Sequence, residues 1–291
     1  MGYKALPLQF ILASYNIRRR GVNMNRAHYD CMKILLARPN WGYVLLEQNY
    51  DVMIKSVYET VAILSALNGA NDVHVRPCEP ERCTWRNEKW DARALKLFRN
   101  ESAMSAEQLN TTLTVVRGAV QASLTRAAVE WLVNTLDLNK TLEQLGEKRK
   151  LIDEVLIPML QVSESLGMPG GFTSQCVEKG SAAVFITRIA KWQHIPESGK
   201  SCHSKKFRHR VCIFGVEDLH WLAKHQNLMA NKMMSSFDYG AIDCMHELIF
   251  NRTHLGQTNP SLNLTVYKSL PHVLHHKNRL HPNPSYRLNC N

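Results

Sequence analysis

The sequence lacks the short motifs by which several classes of nucleotide-binding and metal-binding proteins are recognised. It contains no Gly-x-x-x-x-Gly-Lys-Ser/Thr phosphate loop, no Gly-x-Gly-x-x-Gly fingerprint and no Asp-x-Asp pair that would hold a metal–diphosphate complex. Its thirteen histidines and eight cysteines show no zinc-ligand spacing, and Cys78 and Cys83 lie too far from a second pair to form a zinc knuckle. We therefore predict no cofactor and no metal site.

Long hydrophobic runs are also missing. The longest run near the beginning, Leu6 to Ala13, is interrupted by Gln9 and is far too short to cross a bilayer. The residues "YNIRRRG" follow it instead of a small-residue cleavage site, so it does not resemble a signal peptide. The glycosylation pattern Asn-x-Ser/Thr nevertheless occurs at Asn100, Asn110, Asn139, Asn251 and Asn263. Five such sites favour the secretory pathway and make disulfides plausible, and we expect that the chain is missing its natural start.

The composition is that of a globular protein with a basic surplus. Of the 291 residues, 45% are hydrophobic and 21% are charged, and the formal net charge is +11. A positive surplus favours anionic partners, whether nucleic acid, acidic glycans, membrane surfaces or nucleotide phosphates, and does not choose among them. The basic stretches at 17–21 and 205–210 are not interleaved with aromatic residues in an RNA-binding pattern. Nucleic-acid binding therefore remains the weakest of the alternatives.

Hydrophobic periodicity predicts alternating strands and helices. It predicts strands over 6–14, 41–48, 112–118, 182–192 and 210–214, and helices over 26–39, 56–69, 124–137, 153–167, 216–231 and 238–250. We interpret the polar residues 70–112 as a long excursion and residues 254–291, where periodicity ends, as an extended tail. The alternation predicts an α/β fold with a mixed sheet over residues 1–253.

Two acidic residues open one of the predicted helices. Asp153 and Glu154 lie where exposed backbone N–H groups and the helix dipole favour anions, so they fit a capping pair. The alternative is that one of them is a carboxylate kept ionised as a general base. The sequence pattern leaves both interpretations open.

Two cations flank the predicted strand–helix unit near the C-terminal end of the domain. Arg210 precedes the strand "VCIF" and Lys232 ends the predicted helix that follows it. If they converged they would neutralise a diphosphate, Arg by a two-pronged hydrogen bond and Lys as a point charge. Alternatively Lys232 is a favourable charge at a helix C-terminus and Arg210 a solvated loop residue. Trp192 is likewise either a core residue or a platform for the apolar face of a sugar ring.

Several longer segments resemble one known family. "RVCIFGVEDLHWLAKHQNLMANK" (210–232) followed by "DYGAIDCMHE" (238–247) is similar to the C-terminal signature of the core-2/I-branching β-1,6-N-acetylglucosaminyltransferases. The segment 30–55 resembles the family's block of Cys-Met-Lys, then Trp-x-Tyr, then Asp and Ile-Lys. "DEVLIPML" (153–160) falls where the family has an Asp-Glu helix, and "AKWQH" (190–194) matches its Lys-Trp-Gln. The resemblance covers roughly residues 8 to 250.

This resemblance implies a nucleotide-sugar glycosyltransferase of the type A fold, lacking part of its N-terminal nucleotide-binding half. It implies an inverting, metal-independent transfer of N-acetylglucosamine from UDP-N-acetylglucosamine to a hydroxyl of a glycoprotein glycan. Glu154 would be the catalytic base, Arg210 and Lys232 would bind the UDP diphosphate, and Trp192 would contact the acceptor. Cys202 and Cys212 match a family disulfide. The family implies the lumenal side of the Golgi membrane, reached by a type II N-terminal anchor that this chain does not contain.

The sequence also departs from the family pattern. The family's Cys-Gly block reads "QNYDVM" here and keeps only Asp51. Its acceptor cluster has no clean counterpart, and Arg86 and Lys89 beside Trp90 are the nearest candidates. These departures keep a second hypothesis open, a secretory glycan-binding or catalytically impaired protein of the same fold.

Overall fold

Helices and short strands alternate along residues 21, 23–83, 87–147 and 152–290, which are the residues that the computed structural model describes. The strand predicted over 6–14 lies outside the described residues. The mixed α/β character expected from the sequence is confirmed. Among the described residues, no helix combines the length and the apolar character needed to cross a bilayer.

The helices vary from a single turn to more than four turns. In chain order they are α1 Met24–Leu36, α2 Val57–Ala66, α3 Ala92–Leu95, α4 Ala106–Leu109, α5 Arg126–Asn134, α6 Asn139–Glu147, α7 Leu156–Val162, α8 Gln175–Glu178, α9 Pro196–Lys200, α10 Leu219–Leu222, α11 Tyr239–His254, α12 Leu264–Lys268 and α13 Pro271–Leu280. Single 3₁₀ turns occupy Glu101–Ala103, Ile152–Glu154, Glu164–Leu166 and Val216–Asp218. The best-predicted starts carry local signals. Ser56 and Glu59, for example, form a capping box at the beginning of α2.

The strands are short and form several small sheets. They are β1 Tyr43–Leu46, β2 Val52–Met53, β3 Asp72–Val73, β4 Arg76–Pro77, β5 Val116–Arg117, β6 Ala122–Thr125, β7 Arg188–Ile189, β8 Phe207–Arg208, β9 Val211–Cys212 and β10 Met229–Ala230. One sheet has the antiparallel order β1-β6-β3, and a second, β2-β10-β7, is mixed because β10 pairs antiparallel with β2 and parallel with β7. The pairs β4-β5 and β8-β9 are separate two-stranded antiparallel sheets.

The polar segment 70–112 is not a mere surface excursion, so that interpretation is wrong. It supplies β3 to the first sheet and buries Trp90, Leu95 and Leu97, each 1% exposed or less, in the largest apolar cluster. These large apolar residues are sparse in the sequence but point inward. Burial of such large side chains stabilises the fold by about 2 kcal/mol each.

The predicted extended tail is also wrong in its conformation. Residues 254–291 contain α12 and α13, and Tyr267 and Val273 are 2% and 5% exposed within a third apolar cluster against α2. His272 of α13 is buried beside Asp72, with its Nε2 3.4 Å from the carboxylate. A disulfide between Cys176 and Cys290 fastens the end of the chain. The domain boundary at residue 253 stays a prediction, although the segment beyond it belongs to the folded core.

Two further predicted elements are shorter than expected. The strand predicted over 182–192 forms a ladder at Arg188–Ile189 and an isolated bridge from Trp192 to Val211, and the helix predicted over 216–231 ends at Leu222. Its last residues instead form β10, which lies between β2 and β7. The apolar run there fits the hydrophobic period of a helix as well as that of a strand. The segment is a strand because it pairs with strands that are distant in the sequence.

Candidate active site

A cavity of about 320 Å³ lies beside the β4–β5 pair. Its walls come from these two strands, from residues 118–121, from the turn that carries Glu154 and from the segment that runs from Arg188 to Ile195. Of the residues singled out in the sequence, Glu154 and Trp192 line it. The cavity is therefore where the predicted catalytic and acceptor positions meet.

Glu154 does not cap a helix. It closes the 3₁₀ turn Ile152–Glu154, and α7 begins after Val155, which makes no side-chain capping bond. The capping interpretation is therefore wrong for Glu154. The Glu154 carboxylate accepts a hydrogen bond from Arg117, with Nη1 to Oε2 at 3.3 Å. It faces the cavity with 24% of its side chain exposed.

Burial and charge act on Glu154 in opposite directions. Burial raises the pKa of the Glu154 carboxyl above its usual value. The positive charges of Arg76, Arg188 and Arg82 act to lower this pKa. A carboxylate in this setting is more basic than one in water, which suits a group that accepts a proton.

His74 lies on the same wall and remains neutral. Burial lowers the pKa of His74 to about 4, and the charges of Arg188 and Arg76 act in the same direction. At neutral pH its imidazole is therefore a hydrogen-bonding group without charge.

Arg210 lies in a hairpin turn rather than in the strand that follows it. Phe207 pairs with Cys212 and Arg208 with Val211, which leaves a two-residue turn whose residues, His209 and Arg210, have φ of 52° and 65°. The Arg210 side chain is exposed and is not among those that line the cavity. Its carbonyl oxygen accepts a 2.8 Å hydrogen bond from the Gln193 amide. The turn therefore lies beside the Trp192 segment.

Lys232 follows strand β10 and is not at the end of a helix, so the helix-end interpretation of its charge is wrong. Its backbone is fixed by a 2.8 Å hydrogen bond from the Phe214 amide to its carbonyl oxygen. Burial lowers the pKa of Lys232, and the charges of Arg188 and Arg208 lower it further. Asp51 opposes this shift. Lys232 therefore shares its surroundings with Arg188, which lines the cavity.

Asp51 and Arg188 connect Lys232 to the cavity. Asp51 accepts hydrogen bonds from Gln121 Nε2 at 2.8 and 3.1 Å and from the Gln48 amide at 2.7 Å. Burial raises the pKa of Asp51, and these bonds and the charge of Arg188 act to lower it. The charge of Arg188 in turn interacts with Asp51 and Glu154. The charge of Arg188 thus acts on both the predicted base and the predicted diphosphate lysine.

The remaining acceptor candidates are less central. Trp192 is half-buried, with its ring 5.6 Å from that of His194, so it is not a core residue. Lys89 is exposed, does not line the cavity, and its carbonyl oxygen accepts a hydrogen bond from Gln144. Trp90 beside it is buried in the core. Arg86 lies outside the described residues.

The predicted disulfide between Cys202 and Cys212 is confirmed. The structure also joins Cys78 to Cys83 and Cys176 to Cys290, pairings that the sequence left open. Cys31 and Cys244 are free thiols. Among the predicted glycosylation sites, the side chains of four are exposed and that of Asn251, within α11, is half-buried; the exposed four are Asn100, Asn110, Asn139 and Asn263.

The arginines of the cavity were missed at the level of sequence. Arg76, Arg117 and Arg188 come from three different strands, and no local motif connects them. The sequence shows each of them only as an arginine within an otherwise apolar strand pattern. Such an arginine indicates a cavity only when the partner strand is known. Within the described residues, no group of three His, Cys, Asp or Glu side chains is placed to hold a metal ion.

A carboxylate facing a cavity rich in arginine is an arrangement suited to transfer chemistry on anionic or hydroxyl-bearing ligands. The sequence agrees with this class. The profile of the Core-2/I-Branching enzyme family matches residues 3–223, and the chain therefore belongs to that family. The resemblance seen in the C-terminal signature is confirmed.

Curated relatives carry matching names. A β-1,3-galactosyl-O-glycosyl-glycoprotein β-1,6-N-acetylglucosaminyltransferase 3 of Rattus norvegicus is 27% identical over 237 residues, which are 79% of this chain and 53% of the relative. A β-1,3-galactosyl-O-glycosyl-glycoprotein β-1,6-N-acetylglucosaminyltransferase of Homo sapiens is 26% identical over 76% of this chain and 52% of its own length. An enzyme of the same name from Bovine herpesvirus 4 is 25% identical over 79% of this chain and 53% of its own length. The chain thus spans about half the length of these relatives.

Proposed function

We propose that this protein is an inverting glycosyltransferase that moves N-acetylglucosamine from UDP-N-acetylglucosamine to a glycan hydroxyl, forming a β-1,6 branch on an O-glycan of a glycoprotein. The observation that carries the proposal is the Glu154 carboxylate, which faces the cavity beside Arg117 and Trp192. Membership of the Core-2/I-Branching family and the names of the relatives support it. We further propose that the domain has the type A glycosyltransferase fold.

The proposed reaction assigns one role to each end of the site. Glu154 accepts the proton of the acceptor hydroxyl while that oxygen forms a bond to C1 of N-acetylglucosamine. The bond from C1 to the diphosphate oxygen breaks at the opposite face, its electron pair leaves with UDP, and the configuration at C1 inverts. Lys232 and Arg210 neutralise the charge that develops on the diphosphate, so no metal ion is required.

The half-buried Trp192 supports the placement of the acceptor. Its ring forms part of the cavity wall that also presents Glu154. A sugar stacked on this ring would place a hydroxyl toward the carboxylate, which is the geometry that general-base catalysis requires. Five glycosylation patterns and three disulfides fit a protein that works on the lumenal side of the Golgi membrane.

A second candidate is a secretory glycan-binding protein of the same fold without transfer activity. The observation in its favour is Arg210, whose exposed side chain lies at a hairpin turn and does not line the cavity. A donor diphosphate would then lack one of the two cations assigned to it at that end. Such a protein would bind the acceptor glycan against Trp192 but would not release UDP.

The deciding experiment incubates the secreted, purified protein with UDP-N-acetylglucosamine and a β-1,3-galactosyl disaccharide glycoside. Mass spectrometry detects the product, and NMR of its anomeric proton reports whether the configuration inverted. We expect Glu154→Gln to lower transfer by about 100-fold or more, and Glu247→Gln, at an exposed site on α11, to leave it unchanged. EDTA should not lower the rate.

The same assay can reject the proposal. Equal background from the native protein and from Glu154→Gln would exclude the enzyme. Binding of the disaccharide without transfer would then favour the glycan-binding candidate.

A further inference from the structure

Two arginines lie directly opposite each other in the cavity wall. Arg76 of β4 pairs with Arg117 of β5 in antiparallel register, so their side chains project from the same face of the pair. Like charges in opposite positions destabilise a strand pair, and Arg117 is only 3% exposed. A destabilising pair of like charges is expected where function requires it.

Only one member of the pair has its charge compensated. Arg117 donates to both carboxylate oxygens of Glu79, at 2.6 and 2.8 Å, and to Glu154 at 3.3 Å. Arg76 has no carboxylate partner among the described residues, and its buried Nε has no hydrogen-bond partner. The buried Nε of Arg188, further along the same cavity, also has none.

The cavity therefore carries more positive charge than its own residues neutralise. Within the described residues its lining includes the four arginines Arg76, Arg82, Arg117 and Arg188, and Glu154 is the one carboxylate among the lining side chains. A buried guanidinium without a partner costs free energy, which a ligand would recover by supplying an anion. Nearby cations also weaken a general base, so a cavity built for a neutral sugar alone would gain nothing from Arg76.

We propose that the cavity binds an acceptor sugar that carries an acidic substituent, a carboxylate or a sulfate, and that Arg76 holds this substituent next to Glu154. The proposal rests on the function proposed above and names its substrate class. A guanidinium pairs with either group through two parallel hydrogen bonds. The neutral His74 beside it adds a hydrogen-bonding group without repelling an anion.

The position of Arg76 assigns the anion to the acceptor and not to the donor. Arg76 lies directly opposite Arg117, which donates to Glu154 at 3.3 Å, whereas Lys232 is not among the residues that line the cavity. Arg76 is therefore at the end of the site where the acceptor hydroxyl is deprotonated. The diphosphate belongs to the end marked by Lys232.

The test compares three acceptors with saturating UDP-N-acetylglucosamine. They are a β-1,3-galactosyl disaccharide glycoside, the same compound with a sulfate on the galactose, and an analogue with glucuronic acid in place of galactose. We expect kcat/KM to be about tenfold higher or more for at least one acidic acceptor than for the neutral one, the size of one charge-assisted hydrogen bond. The two acidic compounds distinguish sulfate from carboxylate.

Variants of Arg76 identify the residue responsible. Arg76→Gln should remove the preference by raising KM for the acidic acceptor about tenfold, with the KM for UDP-N-acetylglucosamine unchanged, and Arg76→Lys should restore part of it. Arg279→Gln, at an exposed site on α13, loses the same charge and should change neither value. Because Arg76 has no hydrogen-bonded carboxylate among the described residues, Arg76→Gln should not lower the unfolding temperature.

Three results would overturn the inference. Equal kcat/KM for neutral and acidic acceptors would do so, and so would an Arg76→Gln effect confined to the KM of the donor. If no acceptor is used, the function proposed above fails, and calorimetric titration of the three sugars then decides. Binding of an acidic sugar that Arg76→Gln abolishes would support the anion site, and equal binding of all three would refute it.

Discussion

The amide of Gly118 donates a 2.8 Å hydrogen bond to the carbonyl oxygen of Glu154. The backbone is so crowded at this point that a Cβ on Gly118 would lie 1.7 Å from the carbonyl oxygen of His74. Only glycine permits this approach. One residue without a side chain therefore fixes the turn that presents the predicted base and keeps His74 beside it.

Gly118→Ala should consequently impair both the fold and the site. We expect a loss of about 1–3 kcal/mol in the free energy of unfolding, because the added methyl must displace backbone. We also expect transfer activity to fall by more than the loss of folded protein accounts for. Urea unfolding and the transfer assay measure the two effects. Gly146→Ala is the control, since a Cβ there meets no atom within 4 Å and alanine favours its helix. Activity retained in a folded Gly118→Ala protein would show that Glu154 is positioned by other contacts.

Asp153 should make the protein less stable at neutral pH. Burial, reinforced by the charge of Glu154, raises the pKa of Asp153 from 3.8 to about 6. The folded state thus binds a proton more tightly than the unfolded state, and the contribution of this group to stability increases as pH falls from about 6 toward 4. Above that range the ionised carboxylate is buried at a cost, and its Oδ1 has no hydrogen-bond partner among the described residues.

We therefore expect Asp153→Asn to raise the free energy of unfolding by about 1–3 kcal/mol at pH 7.5 and to lose most of that gain by pH 4.5. Urea titrations at both pH values measure the difference from the native protein, in which contributions common to both proteins cancel. Asp243→Asn, at an exposed site on α11, should change stability little at either pH. A destabilised Asp153→Asn at pH 7.5 would contradict the prediction.

The Cys202–Cys212 disulfide should support binding of the donor. It encloses the β8–β9 hairpin, whose turn contains Arg210. Replacing both cysteines with alanine should cost about 2–3 kcal/mol from loop closure and raise the KM for UDP-N-acetylglucosamine. Cys244→Ala, which removes an exposed free thiol, should change neither. If stability falls while this KM stays constant, the orientation of Arg210 has no bearing on the donor.

The C-terminal segment should be required for folding. Deleting residues 255–291 removes α12 and α13 and exposes the cluster around Ile63 of α2 and Leu67 just after it, which are fully buried. It also removes the 2.7 Å hydrogen bond from the Tyr267 hydroxyl to the Gln226 carbonyl. We expect this protein to lose its cooperative thermal transition in near-UV circular dichroism. Deleting only 282–291, which keeps both helices but loses the Cys290 disulfide, should lower the transition temperature and preserve cooperativity.

Helices with local start signals were predicted well. The capping box of Ser56 and Glu59 begins α2, and Asp238 accepts from the Ala241 amide at the beginning of α11. These bonds join residues three positions apart, so the sequence contains everything that they need.

Strands were predicted poorly in extent. Residues 229–230 were assigned to a helix, yet they form β10 because Met53 and Arg188 offer paired positions on either side. These partners are far away in the sequence, and pattern alone does not contain them. The burial of the apolar residues of 70–112 was not predicted for the same reason, since their neighbours in the core come from other segments.

The sequence by itself determined the family, through its C-terminal signature, and with it the candidates Glu154, Lys232 and Arg210. It also determined the Cys202–Cys212 pairing that the resemblance implied. Only the tertiary structure decided that Glu154 closes a 3₁₀ turn instead of capping a helix, and that Arg76 and Arg117 share one wall of its cavity. The reason is physical. A motif specifies residue types along the chain, whereas burial, charge balance and missing partners arise only when distant strands are brought together.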